Sequence, residues 1–126
     1  MNDMIKLLYV DDEPINLMLF KTMLRKKYNI ITAESGFNGL EELSLNPDIR
    51  IVISDMKMPG MNGLEFIKIA KEKYPNVIFC ILTGYEITDE IMLALEANLI
   101  YQYFQKPFKV VEIENAIKGA VKDLIK

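Results

Sequence analysis

Five short apolar runs alternate along this chain with longer stretches whose apolar residues recur at helical spacing. That alternation restricts the fold more than any other feature of the sequence. The runs are Leu7–Val10, Ile30–Ala33, the β-branched-rich Ile49–Ser54, Val77–Leu82 and a weaker Tyr101–Gln105. Continuous apolar runs suit strands buried on both faces, as in a parallel sheet. Between them, Leu17, Phe20, Leu24 and Tyr28 fall at i, i+3, i+7 and i+11, and Val110, Ile113, Ile117, Val121 and Leu124 repeat the pattern near the C-terminus. Leu40 and Leu43 mark a second helix, Leu64, Ile67 and Ala70 a third, and Met92, Leu95 and Leu99 a fourth. All are assigned to the core rather than to a binding groove.

The punctuation agrees. Pro14 follows Asp11-Asp12-Glu13 and suits the first turn of a helix. Ser35 is placed to cap a helix that starts near Gly36. Pro75 and Asn76 separate the third helix from the fourth strand. Thr88 before Asp89 and Glu90 is a helix start, since acids favour the positive end of the helix dipole. The expectation is an α/β fold, (βα)5, with a doubly wound parallel five-stranded sheet covered by helices on both faces. At 126 residues the chain has room for one domain of ordinary size, and a single domain over 1–126 is expected.

Composition removes several functions. Fifteen basic and eighteen acidic side chains leave a net charge of −3, which disfavours direct nucleic-acid binding by this domain. There is no histidine and one cysteine, Cys80, so a disulfide framework, histidine acid–base catalysis and most zinc sites are not expected. No apolar run approaches the roughly 18 residues of a membrane span, and Met1–Lys6 do not read as a secretion signal. A cytoplasmic location without membrane contact is therefore expected.

In open α/β sheets, sites form outside the carboxyl ends of the strands. Asp11 and Asp12 end the first run, Asp55 the third, Thr83 the fourth and Lys106 the fifth, so all five should meet at one edge. Three carboxylates there repel one another unless cations compensate. Lys106 supplies one charge. With oxygen donors and no His or Cys, Mg²⁺ is the natural second. Blander readings stand beside these: Asp11, Asp12 and Glu13 as caps for the first helix, Lys106 as a solvated loop lysine, Thr83 as a β-branched turn residue.

Four segments carry a resemblance. Leu8-Tyr9-Val10-Asp11-Asp12-Glu13-Pro14, Ser54-Asp55-Met56-Lys57-Met58-Pro59-Gly60-Met61-Asn62-Gly63, Leu82-Thr83-Gly84 and Lys106-Pro107-Phe108 resemble, in order and spacing, the signatures of response-regulator receiver domains of the CheY-like superfamily. The resemblance covers essentially the whole chain. It implies the flavodoxin-like strand order 2-1-3-4-5 and a two-component signalling switch. Asp55 would accept a phosphoryl group from a sensor histidine kinase or phosphotransfer protein. Asp12, Asp55 and the backbone carbonyl of Lys57 would ligate Mg²⁺, with Asp11 helping through water. Lys106 and Thr83 would bind the phosphoryl oxygens, Tyr103 would be the aromatic switch, and the bond before Pro107 would be cis. Helix four, strand five and helix five would form the surface that changes, acting on an output domain or downstream protein, with a homodimer through the same surface as a further implied partner. The domain would be a switch and not an enzyme.

Lys57 and Tyr85, two residues after Asp55 and Thr83, are expected to border access to the site and prolong the phosphorylated state; the alternative is that both point into solvent. A finer resemblance links Leu82-Thr83-Gly84-Tyr85 and Asn98–Tyr103 to receivers attached to HD-GYP-type phosphodiesterases or to some NtrC-like regulators. Asn98, Gln105 and Phe108 depart from that subgroup's usual residues. Asn98 can still adopt the left-handed conformation of a helix C-terminus. A non-phosphorylated pseudo-receiver is the competing reading, opposed by the intact set of Asp11, Asp12, Asp55, Thr83 and Lys106. A Mg²⁺-dependent hydrolase would need an acid–base group where Lys57 stands. A Rossmann-type site lacks its Gly-rich turn after the first strand.

Overall fold

A computed structural model describes residues 4–84 and 86–124. The elements in chain order are β1 (Lys6–Val10), α1 (Pro14–Leu24), β2 (Asn29–Ala33), α2 (Gly36–Leu45), β3 (Ile49–Asp55), α3 (Gly63–Lys73), β4 (Ile78–Thr83), α4 (Asp89–Glu96), β5 (Gln102–Gln105) and α5 (Val110–Leu124). All strand pairs are parallel and the sheet order is β2-β1-β3-β4-β5, the flavodoxin-like order expected. Among the described residues no helix is long and apolar enough to cross a membrane.

The apolar runs are continuous because each strand feeds two cores. Leu8, Val10, Val52, Phe79 and Ile81 point to one face, where Leu43, Leu64, Ile67 and Ile91 cover them. Leu7, Tyr9, Ile51, Ile53, Cys80 and Leu82 alternate onto the other, beneath Phe20, Leu24, Ile113 and Ile117. Each such side chain taken fully from water contributes about 1.5–3 kcal/mol. Burial raises the Cys80 thiol to about 12, so it behaves as a small apolar side chain.

The helix starts follow the expected caps. Ser35 Oγ accepts from Asn38 N–H, and Thr88 accepts from Ile91 N–H. A capping box, Asn62 with Glu65, opens α3.

Two helical assignments are corrected. The spacing that placed Tyr28 on the first helix fails, because α1 ends at Leu24 and the chain turns tightly through Tyr28 N–H to Leu24 O, 3.1 Å. Tyr28 is still buried, carried in by the turn. The core face of α4 is Ile91 and Ala94; Met92 is 39% exposed, and Leu99 follows the helix. An eight-residue helix with apolar residues on most sides does not state its rotation, and the sheet decides it. Asn98 does adopt a left-handed φ of 59° after α4.

Candidate functional site

The parallel register brings the carboxyl ends of the inner strands side by side. Asp11 directly follows β1 and its N–H donates to Ala33 O, 3.1 Å. Asp55 is the last residue of β3 and Thr83 the last of β4. Thr83 pairs with Gln105, and Lys106 N–H donates to Thr83 O at 2.8 Å, so the lysine backbone is tied to the end of β4.

Lys106 Nζ lies 3.1 Å from Asp11 Oδ2 and 3.3 Å from Asp55 Oδ1. This overturns the reading of Lys106 as a solvated loop lysine. Asp11 has no solvent exposure; its Oδ2 also accepts from the Tyr9 hydroxyl at 2.7 Å, and its Oδ1 from Glu13 N–H at 3.0 Å. The capping reading for the acidic triplet holds only for Asp11, whose bond to Glu13 N–H meets the start of α1. Glu13 occupies the N-cap of α1 without a side-chain cap bond, and no acid lies in the first turn.

The site is electrostatically uneven. Burial pushes the Asp55 carboxyl up to about 6, the charge of Asp11 adds to this, and Lys106 opposes it. Burial alone would lower the Lys106 ammonium, but its hydrogen bond to Asp11 and the charge of Asp55 prevail and hold it above the ordinary lysine value. Burial and the bond to Asp11 hold the Tyr9 hydroxyl well above the tyrosine range, so it stays a donor.

The other expected residues are distributed around this centre. Thr83 is buried at the end of β4. The Lys106–Pro107 bond is cis. Tyr103 is half-buried on β5, opposite Ile81, and packs against the core on the Leu64 and Ile91 face. Lys57 is exposed in the loop after β3, a loop closed by Gly63 N–H to Met56 O at 2.8 Å. Tyr85 lies outside the described residues.

Two contributors had no separate signal in the sequence. Tyr9 sits in an apolar run and looks like any core aromatic; only its i, i+2 relation to Asp11 hints that both side chains share a face. Its ring stacks on Phe20 at 4.1 Å, and Phe20 meets Phe108 at 5.2 Å, so an aromatic column runs from the residue after Pro107 to the partner of Asp11. Gly63 allows close approach: a Cβ there would collide with the Asp55 carbonyl oxygen.

Asp11, Asp12 and Asp55 each offer a carboxylate oxygen, and these lie within 4.8 Å of one another. An all-oxygen, anionic set of this size fits a hard divalent cation such as Mg²⁺, which takes oxygen ligands and keeps several waters. Asp11 is already engaged by Tyr9 and Lys106, whereas Asp12 is partly exposed and accessible to an ion.

Residues 7–118 match the family described as the response regulator receiver domain. The hydrogenase transcriptional regulatory protein HoxA of Cupriavidus necator is 27% identical over 90% of this chain, which spans 23% of the length of HoxA. The sporulation initiation phosphotransferase F of Bacillus subtilis is 34% identical, and the match covers 90% of each chain. A solved response regulator receiver domain protein from Clostridium thermocellum is similar with a TM-score of 0.89 and 32% identity, covering 97% of this chain and 99% of that one.

Proposed function

The chain belongs to the response regulator receiver domain family, and on that premise we propose that it is a phosphorylation-dependent signalling switch whose acceptor is Asp55. The observation that carries this reading is the placement of the Lys106 ammonium 3.3 Å from Asp55 Oδ1, beside three clustered carboxylates at the carboxyl edge of the sheet.

A carboxylate oxygen of Asp55 attacks the phosphorus of a phosphohistidine on a sensor histidine kinase or phosphotransfer protein. The O–P bond forms as the P–N bond breaks, the imidazole leaves, and Asp55 becomes a mixed anhydride. Lys106 neutralises charge on the transferred group. Asp12, Asp55 and the Lys57 carbonyl would hold Mg²⁺, with Asp11 in support. When bound, the ion supplies positive charge against the phosphoryl oxygens. Thr83 donates its hydroxyl to one of those oxygens, and Tyr103 repacks in response, altering the α4–β5–α5 surface.

The donor has a surface to meet. Ile15, Met18, Leu19 and Met23 are exposed on α1. Leu19 borders a cleft of about 340 Å³ shared with Lys106, Pro107 and Phe108. An apolar helix face beside the acceptor suits a helical partner that presents its phosphohistidine there. Downstream, the α4–β5–α5 surface acts on an output domain or a separate protein, or pairs with a second copy. HoxA is named as a transcriptional regulatory protein, so a transcriptional output is one such destination.

The test is mass spectrometry after treatment with acetyl phosphate and Mg²⁺. One acid-stable, base-labile phosphoryl group should appear on the wild type and none on Asp55→Asn. Equal labelling of that variant moves the acceptor elsewhere, and no labelling of either favours a pseudo-receiver.

A further inference from the structure

The end of the sheet opposite the acidic pocket carries the reverse charge. A basin of about 750 Å³, more than twice the volume of the cleft beside Lys106, is walled by the starts of β1, β2 and β3 and the last turn of α1. Lys6, Lys21, Arg25 and Arg50 line it with a single carboxylate, Asp48. Four cations against one acid leave a local excess of three positive charges, on a chain whose formal charge is −3. Lys6 is spent on Asp48 at 2.9 Å. Lys21, Arg25 and Arg50 make no ion pair among the described residues.

The helix dipole accounts for cations at the end of α1, where Lys21 and Arg25 stand. It does not account for Arg50. Strand β3 is buried along its whole length except at this residue. The register explains how: Lys6 pairs with Ile49 and Leu7 with Ile51, so Arg50 is the extra residue of a bulge between them. A bulge disrupts the ladder locally, and its recurrent use is to re-aim a side chain. Here the re-aimed group is a guanidinium that enters the basin from an otherwise buried central strand.

We propose that this basin is a binding site for a small phosphate-bearing polyanion, a nucleoside di- or triphosphate in class, separate from the acidic pocket. Guanidinium forks bind phosphate oxygens in bidentate fashion, and Arg25 and Arg50 supply two. The remaining wall includes the exposed Met4 and the half-buried Ile5, backed by Tyr28 and Ile30, which give an apolar bed for a ring. The volume suits a small ligand, whereas a protein partner needs a face of about 800 Å². Arg50 and Asp55 are five residues apart on one strand, about 17 Å at 3.3 Å per residue, so the two sites do not overlap.

The experiment is a titration of the whole chain with ATP at low salt in EDTA, which keeps the acidic pocket free of metal, followed by amide NMR. Shifts should centre on Lys21, Arg25, Tyr28 and Arg50, with a Kd below about 1 mM. The double variant R25A/R50A should bind at least about tenfold more weakly, and R50K should fall between it and the wild type, keeping the charge but losing the fork. Asp55 labelling by acetyl phosphate and Mg²⁺ should be unchanged in R25A/R50A, which shows that the variant folds and separates this site from the phosphorylation site. Pyrophosphate should bind more weakly than ATP, since it leaves the apolar bed empty. Any of three results overturns the proposal: no shifts at these amides, an unchanged Kd in R25A/R50A, or a glutamate-rich peptide of equal charge binding as tightly as ATP. Equal affinity for pyrophosphate and ATP overturns the nucleoside assignment.

Discussion

The ammonium of Lys106 sits 3.1 Å from Oδ2 of Asp11, a carboxylate with no solvent exposure. Asp11 is thus held from two sides, by Lys106 and by the hydroxyl of Tyr9. Because the same ammonium reaches Asp55 at 3.3 Å, one cation keeps together two acids that would otherwise repel. Most of what can be tested at this site follows from that arrangement.

Removing the cation should expose the repulsion. Lys106→Ala is expected to destabilise the metal-free protein by about 2 kcal/mol, below the roughly 3–5 of a fully buried pair because Lys106 is a quarter exposed. Mg²⁺ should restore part of the loss. Urea unfolding in EDTA and in Mg²⁺ measures both; unchanged stability in EDTA would show that Lys106 does not compensate the acids.

The hydroxyl of Tyr9 can be deleted with its ring in place. Tyr9→Phe keeps the 4.1 Å stack on Phe20 and removes a donor to a buried carboxylate. The expected cost is about 2 kcal/mol, in the range for hydrogen bonds to charged groups. A double-mutant cycle with Asp11→Asn should be non-additive, and simple additivity would deny the coupling.

Asp55 should lower the stability of the metal-free fold at neutral pH. Its folded value, about 6, stands above the ordinary carboxyl value of 3.8. Between these values the folded state holds more protons than the unfolded state, so stability falls as pH rises through the window. Asp55→Asn should therefore be more stable than wild type at pH 7.5, by about 2–3 kcal/mol at most, and the gain should vanish below about pH 4. Unfolding curves in EDTA across this range check it; a pH-independent gain would assign the effect to something other than ionisation.

For the metal, Asp12→Ala should weaken Mg²⁺ binding more than Glu13→Ala. Asp12 belongs to the carboxylate cluster, whereas Glu13 is exposed and outside it. Calorimetric Mg²⁺ titration of the two variants decides between them, and a larger effect at Glu13 would shift the metal set by one residue.

Once Asp55 is phosphorylated as proposed, the lifetime of that state depends on water reaching the phosphorus. Lys57 is exposed at the loop after Asp55, long enough for its ammonium to lie over a phosphoryl group. Lys57→Asn combined with Tyr85→Ala should speed autodephosphorylation about tenfold, roughly 1.4 kcal/mol of barrier. Decay followed after removal of the donor tests this; an unchanged rate would mean that neither side chain shields the site.

The elements and the ends of the strands were legible because both depend on local pattern. Ile49–Ser54 reads as a buried strand from composition alone, and Asp55 after it is conspicuous as an acid with no apolar reason to be there. Ser35 and Thr88 announced their helices because capping is a bond within four residues. The rotation of α4 was not legible, since Met92 and Ile91 are equally apolar and only the sheet surface chooses between them.

By itself, then, the sequence determined which segments are strands and helices, and that Asp11, Asp12, Asp55, Thr83 and Lys106 lie at strand ends, because periodicity, caps and breakers act over a few residues. Tertiary structure decided what those ends touch. The Tyr9–Asp11 bond, the reach of Lys106 to two acids, the approach of Gly63 to Asp55 and the bulge at Arg50 all depend on register and rotation between distant segments. Such relations are set when two cores close around one sheet, and no local pattern encodes them.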